Sequence, residues 1–124
     1  MIRKLILLPF IILPLITTAQ TPSAFVGSWK VTWEGDKRQH EARLVLAESG
    51  GGSWKTFAQK KGNPCMGREV PVSIEGLSQD TIVLKLKFSE AIAGCTDSSV
   101  TLKRLNDKAI SGSREDVALT IVRE

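Results

Sequence analysis

Few residues of this 124-residue sequence could carry catalytic chemistry. A general base would have to be His40, the single histidine, which follows a predicted turn and is more simply interpreted as a solvated residue. The run Ser49–Lys55 resembles a phosphate-binding loop, but it lacks the Gly-Lys-Ser/Thr ending that holds phosphate and magnesium. The sequence contains no Gly-x-Ser-x-Gly nucleophile elbow and no zinc-ligand spacing. We therefore predict that the protein is not an enzyme and has no catalytic residue, metal site or cofactor.

Four arginines are better candidates, because they could bind an anion. Arg68, Arg104, Arg114 and Arg123 continue the inward-facing alternation of predicted strands. An inward arginine is costly unless it is paired or hydrated, so one interpretation is that each guanidinium reaches water at an end of the domain. The other is that Arg68 and Arg114 line a mouth that receives a carboxylate or phosphate, while an apolar tail of the ligand reaches Trp33. The ligand-binding hypothesis therefore consists of Trp33, Arg68 and Arg114.

The two cysteines, Cys65 and Cys95, are predicted to form a disulfide, because an even count in an exported domain is typical of oxidised pairs. Closing a loop of about thirty residues stabilises a fold by about 3–4 kcal/mol in the chain-entropy model. The alternative is a pair of reduced or metal-binding thiols. His40 is the only imidazole that could join them, so a metal site is poorly supported.

Residues 1–19 have the form of a secretory signal peptide. Arg3 and Lys4 give a positive head, Leu5–Ile16 an apolar run, and Thr17–Ala19 a small-residue exit. An uncleaved membrane anchor is the alternative, but the run is short for a hydrocarbon core of about 30 Å and contains prolines. We predict cleavage at the end of the exit, and a periplasmic or secreted protein with no stable membrane insertion afterwards.

Removing that segment changes the charge of the protein. The sequence has 17 basic and 13 acidic residues, a formal charge of +4, and the loss of Arg3 and Lys4 leaves 15 basic residues and a charge of +2. The remaining basic residues are spread along the predicted strands, without a run that could follow a phosphate backbone. We therefore predict no nucleic-acid partner.

Residues 20–124 are predicted to form one β domain, and its first strand shows the pattern best. One face of that strand carries apolar residues or glycine: Phe25, Gly27, Trp29, Val31 and Trp33. The residues between them are mostly polar. Alternation of period two over this length is typical of a half-buried strand. Gly27 leaves room for a neighbouring side chain or chain to lie close to Trp29.

Seven further strands are predicted, because turn signals recur every eight to twelve residues and no segment has a helical period. They are centred on Ala42–Leu46, Trp54–Ala58, Arg68–Ile74, Thr81–Phe88, Val100–Leu102, Ile110–Arg114 and Val117–Ile121. Short, evenly spaced strands indicate an all-β fold, either a closed up-and-down barrel or a two-sheet sandwich. Closure removes the exposed edges that an open sheet would have to protect.

The cysteine positions favour the barrel. In an up-and-down barrel, every turn from an odd to an even strand lies at the same end. Cys65 follows the third predicted strand and Cys95 the fifth, so both fall at one rim and can approach within the Cα separation of about 4.4–6.8 Å that a disulfide requires. We therefore predict an eight-stranded antiparallel up-and-down β-barrel with one disulfide.

The sequence Gly27-Ser28-Trp29 on the first strand and Arg123 on the last resemble the calycin superfamily, which includes lipocalins, fatty-acid-binding proteins, avidins and bacterial metalloprotease inhibitors. The resemblance implies that Trp29 closes one barrel end and that Arg123 packs across its indole, a cation–π contact of about 1–2 kcal/mol when desolvated. Two features depart from the relatives of similar size. Only Gln20–Ala24 stands where the inhibitors have an extended N-terminal arm, and the absence of tyrosine leaves the biotin-contacting set of avidins unmatched.

Two functions are consistent with these residues. The first is an exported binding barrel whose disulfide-bearing rim takes a small, anionic or amphipathic ligand. The second is a protein-binding module, such as an inhibitor of a secreted or periplasmic protease, that uses the same loops or the N-terminal segment. Barrels this short often fill their interior with side chains, which would favour surface recognition.

Overall fold

The computed structural model describes residues 20–57 and 64–124. Within these ranges eight antiparallel strands follow one another around a closed barrel, and the last strand pairs with the first. The strands are β1 (Gly27–Gly35), β2 (Arg38–Leu46), β3 (Gly51–Thr56), β4 (Glu69–Leu77), β5 (Thr81–Leu86), β6 (Ser98–Asn106), β7 (Ala109–Arg114) and β8 (Val117–Arg123). A 3-10 turn (Ser23–Phe25) precedes β1, and a four-residue helix, α1 (Phe88–Ala91), follows β5.

The predicted up-and-down barrel with one disulfide is confirmed. The closed ladder excludes the two-sheet sandwich. The signal-peptide prediction for residues 1–19 lies outside the described residues. In the part of the chain that the structure describes, no helix has the length and apolar character needed to cross a membrane.

The alternation of side chains explains why these stretches form strands. In β5, Ile82, Leu84 and Leu86 are buried, whereas the residues between them are only partly so. A pleated strand directs successive side chains to opposite faces, so this pattern puts one face of every strand inside the barrel.

A row of large side chains crosses four neighbouring strands in the centre of the core. Leu44 on β2 pairs with Trp29 on one side and with Trp54 on the other, and Trp54 pairs with Val70. Each of these four residues has at most 1% of its surface exposed. Burying an indole removes about 150–250 Å² from water, a gross transfer term of about 4–6 kcal/mol for each tryptophan. The Trp54 indole N–H is satisfied by the Thr56 hydroxyl at 2.8 Å.

The end of the barrel where the chain enters β1, called the closed end below, is sealed by Trp29 and Arg123. The Trp29 indole N–H donates to the Phe25 carbonyl at 2.9 Å. The guanidinium carbon of Arg123 lies 4.2 Å from the centre of the Trp29 ring. Three nitrogens of the same guanidinium donate to backbone carbonyls, those of Asp107 at 3.1 Å, Val26 at 2.9 Å and Ala24 at 3.3 Å.

Glycine is required before both buried tryptophans, for different reasons. Gly27 has φ +131°, and a Cβ added there would lie 2.7 Å from a terminal nitrogen of Arg123. A Cβ at Gly52 would lie 2.0 Å from the carbonyl oxygen of Val45 on β2. In each Gly-x-Trp sequence the glycine therefore admits a neighbour that the tryptophan needs beside it.

The structure corrects the predicted end of the fifth strand. The prediction placed Phe88 in the strand, but β5 ends at Leu86 and Phe88 begins α1. The Lys87 amide makes one further bond toward β4, to the Pro71 carbonyl at 2.9 Å, before the chain turns into α1. Phe88 is buried all the same, with 3% of its surface exposed, because α1 turns it inward over the end of the barrel.

Candidate functional site

The end of the barrel opposite the closed end, called the rim, is formed by the turns that follow β1, β3, β5 and β7. The connection between β5 and β6 contains α1, which contacts β4 and lies over the mouth of the barrel. Phe88 is buried beneath it, and Ala91 and Ile92 pack against the core. The helix therefore covers much of the entrance through which a ligand would reach the interior.

The disulfide fastens this cover. Cys65 and Cys95 are bonded with their Cα atoms 5.8 Å apart, as the placement of both at one rim predicts. Cys95 is buried and Cys65 packs against the core. The bond therefore ties the segment after α1 to the segment that precedes β4.

A carboxylate also holds α1 in place. The amide of Ser89 donates to Asp97 at 2.9 Å, and Lys85 lies 3.9 Å from the same carboxylate. Hydrogen bonds from the Ser89 side chain and amide lower the pKa of Asp97 below its ordinary value, since they favour the ionised carboxylate. The ionised carboxylate of Asp97 therefore holds the first turn of α1 in place.

Arg114, one of the three predicted ligand-binding residues, lies at the rim beside α1. Its Nε donates to the Ser98 hydroxyl at 2.9 Å, and its guanidinium carbon lies 5.5 Å from the centre of the Phe88 ring. Partial burial lowers the pKa of Arg114, because desolvation disfavours the charged guanidinium. Among the residues that the structure describes, the ion pairs do not include Arg114. Its terminal nitrogens can therefore donate to an incoming carboxylate, phosphate or carbonyl.

Arg68 is placed differently from the prediction that it continues the inward face of β4. That strand begins at Glu69, so Arg68 precedes the ladder and is exposed. Arg68 and Arg114 therefore lie at the rim ends of β4 and β7, two strands that are not neighbours in the barrel.

Arg104 lies at the other end of the barrel, as the interpretation of solvated inward arginines expects. Its side chain is exposed and pairs with Asp107 three residues later, beside the turn between β6 and β7. A register shift between Arg104 and Asn106 interrupts the ladder at this point. Arg104 therefore belongs to a turn and is remote from the rim.

Trp33, the remaining predicted ligand-binding residue, is partly exposed at the rim end of β1. Its indole stacks on the imidazole of His40 with ring centres 5.5 Å apart, and lies 6.1 Å from the ring of Trp54. A nitrogen of His40 lies 3.0 Å from the Gly35 carbonyl, which fixes the imidazole against the strand. One face of the Trp33 ring is therefore covered by His40, while part of its surface remains exposed to a partner.

A groove beside Trp33 was not predicted from the sequence. The ladder between β1 and β8 runs from Trp29 and Arg123 to Thr32 and Thr120 and stops there, although both strands continue toward the rim. The two strands diverge, and a groove of about 430 Å³ lies along the gap, called the seam groove below. Its lining comes from β1, β2, the turn between β7 and β8, and β8 itself: Thr32, Trp33, Glu34, Gln39, Asp116, Val117, Ala118 and Thr120.

The charge of the seam groove is negative. Its lining includes the carboxylates of Glu34 and Asp116 and no lysine or arginine. Neither carboxylate belongs to an ion pair between described residues. The rim therefore presents two contrasting surfaces, a cation at Arg114 and an acidic groove one strand away. Residues 20–57 and 64–124 hold no group of three or more His, Cys, Asp or Glu that could bind a metal ion.

The chain matches no protein-family model, no curated protein and no solved structure. What the structure supplies is the architecture, an eight-stranded antiparallel barrel that is compatible with a calycin-like fold. It also supplies the contact that the resemblance implies, since Arg123 lies over Trp29 at the closed end.

Proposed function

We propose that this chain is an exported, non-enzymatic binding protein of calycin-like architecture, and that its disulfide-bearing rim recognises the surface of another extracytoplasmic protein. Export is supported by the signal-like segment 1–19 and by the disulfide, which is typical of oxidising compartments. The absence of a nucleophile motif and the single histidine in the sequence support a role without catalysis.

The observation that carries the choice of a protein partner is the filled barrel. The side chains of Trp29, Leu44, Trp54, Leu84 and Ile121 are completely buried inside it. Phe88 and α1 then lie over the mouth, fastened by the disulfide. Barrels of eight strands are just wide enough for their own side chains to fill, so recognition falls to the outer surface of the rim. Inhibition of a secreted or periplasmic protease is one role of this kind, as the resemblance to metalloprotease inhibitors implies.

A second candidate function rests on Arg114. Arg114 is half-buried against the Phe88 ring and donates a hydrogen bond to the Ser98 hydroxyl. Among the described residues, no carboxylate lies within ion-pair distance of it. Such an arginine suits a small anionic or amphipathic ligand at the rim. The carboxylate of such a ligand would lie against Arg114, and its apolar part would extend over the rim toward Trp33. Arg68 has no part in this version, because it precedes β4 and is exposed.

The protein-binding function is tested by site-specific photocrosslinking in the extracytoplasmic fraction of the native host. A photoreactive residue replaces Arg38 or Glu69, which are exposed at the rim, or Gln79, which is exposed near the closed end. We expect one partner, identified by mass spectrometry, to be crosslinked from the rim positions and not from Gln79, and to bind again when both proteins are purified. Equal labelling from both ends, or no adduct, would rule the function out.

The ligand function has a separate test. Medium-chain fatty acids and inorganic phosphate are titrated into the protein while amide NMR shifts are followed. If the ligand function holds, shifts around Arg114 saturate, and they are lost in Arg114→Gln but kept in the matched variant Arg104→Gln. Shifts that do not saturate, or that persist in Arg114→Gln, exclude an anion site at this residue.

A further inference from the structure

The seam between β1 and β8 is the place where the barrel leaves strand edges unpaired. In an antiparallel ladder, alternate residues direct both backbone polar groups to the same neighbouring strand. Ser28 faces β8, since its carbonyl accepts the amide of Glu124 at 3.0 Å. Glu34 on β1 and Ala118 on β8 have the same parity and therefore also face the seam.

Glu34 and Ala118 would be the next hydrogen-bonded pair of this ladder, but the pairing stops at Thr32 and Thr120. Each of the two residues therefore directs its backbone N–H and C=O toward the seam groove, beyond the point where the paired register ends. Backbone groups in this arrangement can hydrogen-bond an added extended chain, the mode of recognition called β-augmentation.

We propose that the seam groove binds an extended segment of a partner protein by β-augmentation, with a lysine or arginine of that segment lying between Glu34 and Asp116 against the ring of Trp33. This inference rests on the proposed protein-binding function and names the surface and the type of segment.

The size of the groove limits how much chain it takes. A residue in a sheet occupies about 3.4 Å along the strand, 4.8 Å between strands and 10 Å across the sheet, or about 160 Å³. A groove of about 430 Å³ therefore holds two to three extended residues. This is a short motif, so side-chain chemistry must supply much of the selectivity.

Charge and aromatic surface select the side chain. Glu34 and Asp116 line the groove without a basic residue among its lining, so a cation of the partner is attracted and an acidic segment is repelled. Trp33 also lines it, and an indole is the best aromatic surface for a cation. The small side chain of Ala118 leaves the β8 edge open to a neighbouring chain.

The test uses a blocked pentapeptide, acetyl-Thr-Val-Lys-Val-Thr-amide, and the disulfide-bonded protein. Amide NMR shifts are followed during titration. We expect saturable shifts confined to the seam, at Glu34, Ala118 and Thr120. A peptide with glutamate in place of lysine should bind about tenfold or more weakly, and so should one N-methylated at alternate amides, because the first loses the charge contact and the second the backbone bonds.

Two sets of variants report on the groove. The double variant Glu34→Gln with Asp116→Asn should weaken peptide binding about fivefold, because two exposed ion pairs are lost. The matched control Glu48→Gln with Glu69→Gln removes the same charge from exposed sites elsewhere and should leave binding unchanged. Ala118→Arg should abolish binding by filling the groove with a cation, whereas Thr101→Arg, on an exposed position of β6, should not. Far-UV circular dichroism and intact disulfide mass establish that each variant is folded.

Several outcomes would overturn the inference. It is overturned if the shifts do not saturate at millimolar peptide or if they centre on Arg114 or α1. It is also overturned if peptide binding survives Ala118→Arg. A concentration-dependent dimer of the protein alone that Ala118→Arg abolishes would assign the seam to a second copy. If rim photocrosslinks persist at full yield in Ala118→Arg, the protein-binding function stands and the seam is not its site. If neither crosslinks nor peptide binding are observed, the protein-binding function and the seam site both fail.

Discussion

Both ends of the barrel place an arginine over an aromatic ring, and the two pairs are built differently. At the closed end Arg123 lies 4.2 Å from the ring of Trp29 and donates to three backbone carbonyls. At the rim the guanidinium carbon of Arg114 lies 5.5 Å from the centre of the Phe88 ring, and its Nε donates to the Ser98 hydroxyl. A guanidinium has five N–H donors, so Arg123 is largely committed to the protein whereas Arg114 keeps donors for something else.

This difference separates structural from functional use of the same residue types. Trp29 is completely buried, and its N–H and its ring are both occupied by the protein. Trp33, four residues further along the same strand, is partly exposed and borders an unpaired seam. One strand therefore begins in a sealed end and finishes in a surface that can still make contacts.

The largest expected difference between the ends is in the two tryptophans. Trp29→Ala should lower the free energy of unfolding by about 3–5 kcal/mol, the usual cost of removing a fully buried aromatic side chain. Trp33→Ala should cost about 1.5 kcal/mol or less, since part of its ring is already in water. Urea unfolding followed by circular dichroism measures both. Equal costs would mean that the rim is as tightly packed as the closed end.

Removing the disulfide should lower the stability of the fold but change the native structure at the rim alone. The double variant Cys65→Ser and Cys95→Ser should lose about 3–4 kcal/mol in the chain-entropy model, with a loop separation of 30 residues. In native buffer its amide NMR shifts should change around α1 and leave residues near Trp29 unchanged. Shifts of similar size at both ends would show that the bond shapes the native structure of the whole barrel and not only of the rim.

The two glycines that bound β1 provide a third contrast. Gly27→Ala should cost about 1–3 kcal/mol, because φ is +131° and the new methyl group displaces Arg123. At Gly35 the nearest atom to an added Cβ is 3.6 Å away, in His40, so Gly35→Ala should change stability by about 0.5 kcal/mol or less. Thermal unfolding of the two variants compares them directly. A larger loss at Gly35 would contradict the looser packing assigned to the rim.

The arginines themselves should differ by a smaller amount. Arg123→Gln should cost about 1–2 kcal/mol, since it loses a cation–π contact and carbonyl hydrogen bonds. Arg114→Gln should cost about 0.5 kcal/mol or less, because the desolvation that lowers the pKa of Arg114 offsets its contacts. A double-mutant cycle should find Arg123→Gln and Trp29→Ala coupled and non-additive. Additivity would mean that the two residues seal the barrel independently.

The smallest effect is the response of the rim to acid. The pKa of Asp97 is lowered by its hydrogen bonds with Ser89, so its contribution is complete above the ordinary value of 3.8 and is lost as the pH falls through the lower folded value. Carbon-detected NMR should find Asp97 titrating below the ordinary value of an aspartate and the Ser89 amide shifting with it. In Asp97→Asn the Ser89 shift should no longer follow pH. Titration of Asp97 at or above its ordinary value would contradict the proposed anchoring of α1.

Local pattern accounts for what could be predicted from the sequence. Alternation in β1 and β5 identified the strands and their inward faces, and counting turns placed Cys65 and Cys95 at one rim. These inferences need only the two-residue period of a strand and the parity of a meander. The resemblance carried by Gly27, Trp29 and Arg123 added the contact at the closed end.

The features that were not predicted depend on where strand pairing stops. The two-residue alternation of a strand carries no information about that point. Alternation extended backward gave Arg68 an inward position, but β4 begins one residue later. Alternation extended forward kept Phe88 in a strand, but the registers of β5 with β4 and β6 end at Leu86 and the chain turns into α1 at Phe88. The seam groove follows from the register between β1 and β8, which no local stretch encodes.

The short ladder between β1 and β8 has a consequence for how the barrel assembles. β1 pairs with β2 at nine positions across a two-residue turn, a contact that forms early because its loop is short. It pairs with β8 at only four, and the neighbouring bond from Arg123 to Val26 joins residues 97 apart in the chain. Contacts between such distant residues form late, because the entropy of closing the loop must be overcome before they contribute. Until β8 pairs with it, the open edge of β1 is a template on which other chains could aggregate, so a strand that pairs early on one side is protected late on the other.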